Sequence, residues 1–113
     1  MIRVATLAAA LALTATGANA ASFDCTRARA ADEKAICADR ALNDQDVRLK
    51  LMFDLSRHLV PMGRRGQIED EQIAWLKGRR ACGANKQCLA AEYDHRIAAL
   101  QLIFDDVARH GPF

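Results

Sequence analysis

The chain has 113 residues, 51% of them hydrophobic and 27% charged, with 16 Lys and Arg against 14 Asp and Glu. That near-balance argues against a dedicated nucleic-acid binder, which displays a strong basic excess on one face. It also supplies no general attraction to anionic membranes.

Residues 1–20 read as a cleavable secretory leader. Arg3 forms a small basic region, residues 4–15 are mostly apolar, and Ala18-Asn19-Ala20 is a small-x-small cleavage site that makes Ala21 the first mature residue. The apolar stretch is too short for a membrane span, so no stable membrane insertion is expected after cleavage. Cys25 has no apolar lipobox before it. Removing 20 of the 113 residues leaves 93, a single domain over residues 21–113, and loss of Arg3 leaves 15 basic and 14 acidic groups. The expected location is the periplasm of a Gram-negative bacterium, or the medium beyond it.

The mature chain reads as all-α. No stretch alternates long enough for a strand. Residues 28–38 are rich in helix formers and predict a short N-terminal helix around Asp32 to Cys37. Residues 39–43 read as a junction, with Asn43 capping a longer helix whose apolar stripe is Leu42, Leu49, Met52, Phe53, Leu59 and Val60. Pro61 and Gly63 stop it, and Arg64-Arg65-Gly66-Gln67 makes a basic turn.

A third helix is expected from about Ile68. Glu69, Asp70 and Glu71 would then complement the positive end of its dipole, and Lys77, Arg79 and Arg80 the negative end. Gly83 offers a left-handed terminus. Asn85 can cap a last helix through Leu89, Tyr93, Ile97, Leu100, Phe104 and Val107, whose spacing keeps them on one face. His110-Gly111-Pro112 ends it. Short connections between such faces give a small, disulfide-stapled antiparallel helical bundle or hairpin.

The four cysteines, Cys25, Cys37, Cys82 and Cys88, admit three pairings. Export to an oxidising compartment favours disulfides over stored thiolates. Local pairing, Cys25 with Cys37 and Cys82 with Cys88, is preferred because both pairs meet without assuming tertiary detail; a crossed pairing would close longer loops. A structural zinc site is the competing reading, disfavoured because neither pair has the short spacing usual for zinc. No metal or cofactor is expected.

Nothing in the sequence specifies catalysis. His58, His95 and His110 belong to no metal motif, and Ser56 lacks a nucleophile-elbow context. The carboxylates are accounted for by helix electrostatics, including a Glu92–Arg96 pair one turn apart. Trp75, with Ile68, Ile73 and Leu76, reads as a core or interface anchor, as do Tyr93 and Phe53.

Two linked patterns, Cys25-x11-Cys37-Ala38-Asp39 and Trp75-Leu76-x2-Arg79-x2-Cys82-x5-Cys88, together resemble the LprI-like lysozyme-inhibitor family. Glu33-Lys34-Ala35-Ile36 and Tyr93-x2-Arg96-Ile97-x2-Leu100 extend the resemblance across residues 23–102. Arg40, Gln45 and Phe53 depart from the family pattern, standing where proline, a leucine-like residue and tyrosine are common.

The resemblance implies a secreted, disulfide-containing helical domain, some of whose relatives inhibit lysozyme. The function expected on that basis is a periplasmic, non-catalytic inhibitor that binds lysozyme and occludes its glycan cleft, protecting peptidoglycan. A non-catalytic envelope interaction or structural protein is the alternative, and a peptidoglycan hydrolase a more distant one. Lysozyme hydrolyses glycans with two cleft carboxylates, so an inserted cation would meet them in charge-assisted hydrogen bonds. Arg64 and Arg65 form one candidate prong; Arg79, Arg80 and Lys86 flank another. The first is favoured because Glu69 to Glu71 would temper repulsion from a basic enzyme. Oligomeric state is not encoded in these patterns.

Overall fold

The computed structural model describes residues 21–110. The expected leader over 1–20 and the Gly111-Pro112 stop lie outside them. A single 3-10 turn, Cys25–Arg27, leads into four helices: α1 (Ala31–Ala38), α2 (Arg40–Leu59), α3 (Met62–Ala81) and α4 (Lys86–Arg109). The described residues contain no strand. α2 and α3 run antiparallel, α4 returns along both, and α1 packs against the start of α2 and the end of α3.

The boundaries follow local chemistry. Asp39, not Asn43, caps α2: its Oδ1 accepts from the Leu42 amide at 3.0 Å. That bond holds the Asp39 carboxyl below its usual pKa. The expected junction over 39–43 is therefore helix, and Asn43 is buried within it with Oδ1 unpartnered. Asn85 does cap α4, accepting from the Cys88 amide at 3.0 Å, and Gly83 takes the left-handed φ of 56° that ends the α3 corner.

The third helix starts six residues earlier than its acidic run suggested. Pro61 is the residue immediately before α3, and Arg64-Arg65-Gly66-Gln67 lies in the first turns of the helix instead of in a loop. A proline just ahead of a helix needs no intrahelical donor, so two residues, Val60 and Pro61, suffice to reverse the chain. Glu69 and Glu71 consequently sit in mid-helix and face cations across the bundle, Arg57 at 3.3 Å and Arg96 at 3.5 Å.

Both disulfides are local: Cys25–Cys37 ties the N-terminal turn to α1, and Cys82–Cys88 ties the end of α3 to the start of α4. The core joins Ile36 of α1, Leu42 and Leu49 of α2, Ile68 and Trp75 of α3, and Leu89, Tyr93, Ile97, Leu100 and Ile103 of α4. Met52, Phe53 and Val60 pack against it, half-buried. Ile73 and Leu76, expected beside Trp75, are instead exposed by 55% and 40%. Ile103 completes the core, whereas Leu102 points to solvent.

Candidate functional site

Beneath the α2–α3 face lies a buried ionic cluster. On α3 the positions 68, 72, 75 and 79 recur at steps of four, three and four, so Gln72 and Arg79 share the core-facing stripe with Ile68 and Trp75. Arg79 Nε donates to Asp32 Oδ2 of α1 at 2.9 Å, and its Nη1 lies 3.6 Å from Asp46 Oδ1 of α2. Asp46 also accepts from the Tyr93 hydroxyl at 2.8 Å and from the Ser22 amide at 2.7 Å. Five segments of the chain, the N-terminal stretch and all four helices, thus converge on two carboxylates and one guanidinium.

The electrostatics follow from burial and pairing. Desolvation disfavours the charged form of Arg79, but Tyr93 and Asp32 outweigh it, and the guanidinium is held above its ordinary pKa. Burial, reinforced by the neighbouring Asp46 carboxylate, pushes the Tyr93 phenol well above its ordinary value. A second buried cation, Arg96, donates to Gln72 Oε1 at 2.9 Å and to the Ile68 carbonyl at 3.2 Å. Desolvation lowers its pKa, opposed by Glu71. Arg96 therefore turns to α3, and the expected pairing with Glu92 is replaced by these cross-helix bonds. The Glu92 carbonyl instead accepts from Trp75 Nε1 at 2.8 Å.

Above this cluster, α2, α3 and the N-terminal segment enclose a half-open cleft of about 310 Å³. Phe23, Phe53 and Trp75 supply aromatic surface, and Asp46, Gln72 and Arg79 its polar floor. The Arg79 guanidinium carbon stands 5.6 Å from the Phe23 ring centroid and 5.8 Å from that of Trp75. The Trp75 and Tyr93 rings meet edge-to-face at 5.1 Å. Trp75 and Tyr93 are core anchors, whereas Phe53 is half-buried beneath Arg57, 4.9 Å away.

The five basic residues singled out as contact candidates separate into three environments. Arg79 is interior and bound on both sides, so it presents no charge to a partner. Arg64 and Arg65 lie at the α2–α3 end, where both are tied back: Arg64 Nη1 to Asp106 at 3.5 Å, and Arg65 Nε to the Arg57 carbonyl at 2.9 Å. Arg80 and Lys86 flank the Cys82–Cys88 corner with side chains 72% and 64% exposed. Each faces one carboxylate, Glu33 at 3.9 Å and Asp39 at 3.3 Å.

Sequence reading missed the interior role of Asp32, Asp46, Gln72, Arg79 and Arg96. The available signal was periodicity: Gln72, Arg79 and Arg96 fall on the apolar faces of their helices. Among the described residues, no three His, Cys, Asp or Glu side chains are placed to hold a metal ion.

The family model described as "Lysozyme inhibitor LprI" matches residues 25–100. The chain belongs to the LprI family. The match runs from the first cysteine of one disulfide, through the whole ionic cluster and the second disulfide, to Leu100 in the core. No curated protein and no solved structure matches the chain. LprI proteins are non-catalytic inhibitors, so membership supports a lysozyme-inhibitor role and suggests lysozyme as the binding partner.

Proposed function

We propose that this LprI protein inhibits lysozyme by seating its Cys82–Cys88 corner in the enzyme's glycan cleft, and that it does so in the bacterial periplasm or beyond it. The family match over residues 25–100 carries the inhibitory reading. Charge and rigidity support the choice of surface. The corner is closed by a disulfide, turned by Gly83 and pinned by the Asn85–Cys88 bond, so little conformational freedom would be lost on docking. Arg80 and Lys86 extend from it with most of their side-chain surface in water.

The chemistry is complementary. Cationic side chains entering a cleft lined by two carboxylates form charge-assisted hydrogen bonds and displace the glycan. Glu33 and Asp39, beside these cations, would temper repulsion from a lysozyme that is basic overall. Arg64 and Arg65 are the second candidate surface, less favoured because the Arg64 side chain is only 47% exposed and Arg65 donates to the Arg57 carbonyl in a part-buried bond. The leader-like residues 1–20 and the two disulfides support an oxidising, extracytoplasmic setting.

The test is a turbidity assay on peptidoglycan with purified protein and a panel of lysozymes. Protection of the substrate against at least one enzyme, with no clearance by the protein alone, is the expected result. Clearance without lysozyme would assign a hydrolase instead. No effect on any enzyme in the panel would leave an envelope-binding role as the better reading.

A further inference from the structure

The aromatic cleft between α2 and α3 borders the proposed lysozyme contact at Glu33, and it is equipped to hold a ligand of its own. Its volume of about 310 Å³ and its half-open form match a small-molecule site, in which apolar walls surround a few placed polar groups. Three of the chain's six aromatic side chains, Phe23, Phe53 and Trp75, line it.

The polar groups specify the ligand. Gln72 is only 8% exposed and lines the cleft. Arg96 donates to its Oε1 at 2.9 Å, which fixes the amide orientation and leaves Nε2 as a donor with no partner among the described residues. Asp46, by contrast, is already in use: Oδ1 accepts from Tyr93 and Oδ2 from the Ser22 amide. The cleft therefore asks for a hydrogen-bond acceptor. That acceptor should be neutral, because the two cations lining the cleft, Lys50 and Arg79, are already matched by its two carboxylates, Glu33 and Asp46.

We propose that this cleft binds the N-acetyl group of an amino sugar, with the acyl carbonyl accepting from Gln72 Nε2 and the methyl group packed on the aromatic walls. An extended peptide fits less well. Its amide donors would find both Asp46 oxygens already bonded and, among the lining carboxylates, only Glu33 left to accept. An acetamido group entering acyl-first leaves its own N–H, and the sugar hydroxyls, at the open mouth in water. Direct glycan binding would then act beside enzyme inhibition on the same polymer.

The experiment titrates the disulfide-bonded protein, without lysozyme, with three probes: the N-acetylglucosamine trimer, the glucosamine trimer and N-acetyl-leucinamide. Binding is followed by the fluorescence of Trp75, the chain's single tryptophan, and by the NMR signals of the Gln72 side-chain amide. The acetylated trimer should saturate with a Kd of about 1 mM or tighter. The glucosamine trimer should bind at least tenfold more weakly.

Gln72→Glu keeps the acceptor for Arg96 but replaces the free donor, so the fold should survive while affinity for the acetylated trimer falls at least tenfold. Should that variant fail to fold, the Gln72 amide signals of the unmodified protein decide the matter. Equal binding of the two trimers, no binding, a Gln72 amide unmoved at saturation, or binding of N-acetyl-leucinamide in place of the sugar would each overturn the assignment. With lysozyme absent, none of these results bears on inhibition.

Discussion

Arg79 and Asp32, 47 residues apart, meet at 2.9 Å with side chains 10% and 1% exposed. The pair locks the short α1 onto α3, and Asp46 on the other side of the guanidinium adds α2. Cys25–Cys37 fixes α1 to the N-terminal turn covalently, but the disulfide alone would not orient α1 against the bundle. The ionic cluster does that, together with Ile36, which is fully buried in the shared core.

Removing one member should therefore cost more than removing a surface ion pair. Arg79→Met leaves Asp32 and Asp46 buried without their cation, and is expected to destabilise the fold by about 3–5 kcal/mol. Arg79→Lys should fall between the variant and the parent, because a point charge cannot span two carboxylates as the planar fork does. Urea unfolding followed by circular dichroism measures both. Equal stability of Arg79→Met and the parent would show the cluster to be energetically neutral.

Tyr93 gives a pH test with an unambiguous readout, since it is the chain's single tyrosine. Burial and Asp46 raise its pKa in the folded protein above the ordinary 10.0. The unfolded chain, with its phenol near the ordinary value, then loses the proton first. The Tyr93 contribution to stability is accordingly constant below about pH 10 and declines as pH rises beyond it. Tyrosinate absorbance at alkaline pH should appear together with loss of helical signal, not before it. Tyr93→Phe should remove this contribution to alkaline unfolding, at the expense of leaving Asp46 one hydrogen bond short at neutral pH.

The fold was legible where spacing and composition act locally. Asn85 followed three residues later by Cys88, Gly83 at the corner and the Leu89–Tyr93–Ile97–Leu100 stripe each imply their structure directly. The start of α3 was hidden because Arg64-Arg65-Gly66-Gln67 has loop-like glycine and charge, while helix packing along Ile68 and Trp75 overrides that weak preference. The candidate site was less legible for a physical reason. Asp32, Asp46 and Arg79 read singly as solvated charges, and only the tertiary arrangement shows that each desolvated group has its counter-charge. Ile73 and Leu76 err in the opposite sense: they are apolar, but they lie off the 68–72–75–79 stripe.

The two disulfides should separate stability from recognition. Each closes a short loop, with sequence separations of 12 and 6, so chain entropy suggests about 2–3 kcal/mol for either one. Replacing Cys25 and Cys37 by serine should also free the segment that carries Ser22 and Phe23 over the cleft. Faster hydrogen exchange at the Ser22 amide, now bonded to Asp46, is the specific sign. Replacing Cys82 and Cys88 should leave that amide protected.

Charge reversal distinguishes the two basic surfaces. Arg80→Glu with Lys86→Glu reverses the exposed cations of the stapled corner, where neither side chain packs in the core. Their partners Glu33 and Asp39 lie at 3.9 and 3.3 Å, and exposed pairs of this kind contribute little to folding, so helical content should be retained. Inhibition should fall at least tenfold, and its decline with rising salt in the parent should be lost in the variant, because screened attraction to the cleft carboxylates has been removed. Arg64→Ala with Arg65→Ala should change inhibition less than threefold. The reverse ranking would move the contact to the α2–α3 end, where the basic residues are held by Asp106 and the Arg57 carbonyl, and would require those bonds to open on binding.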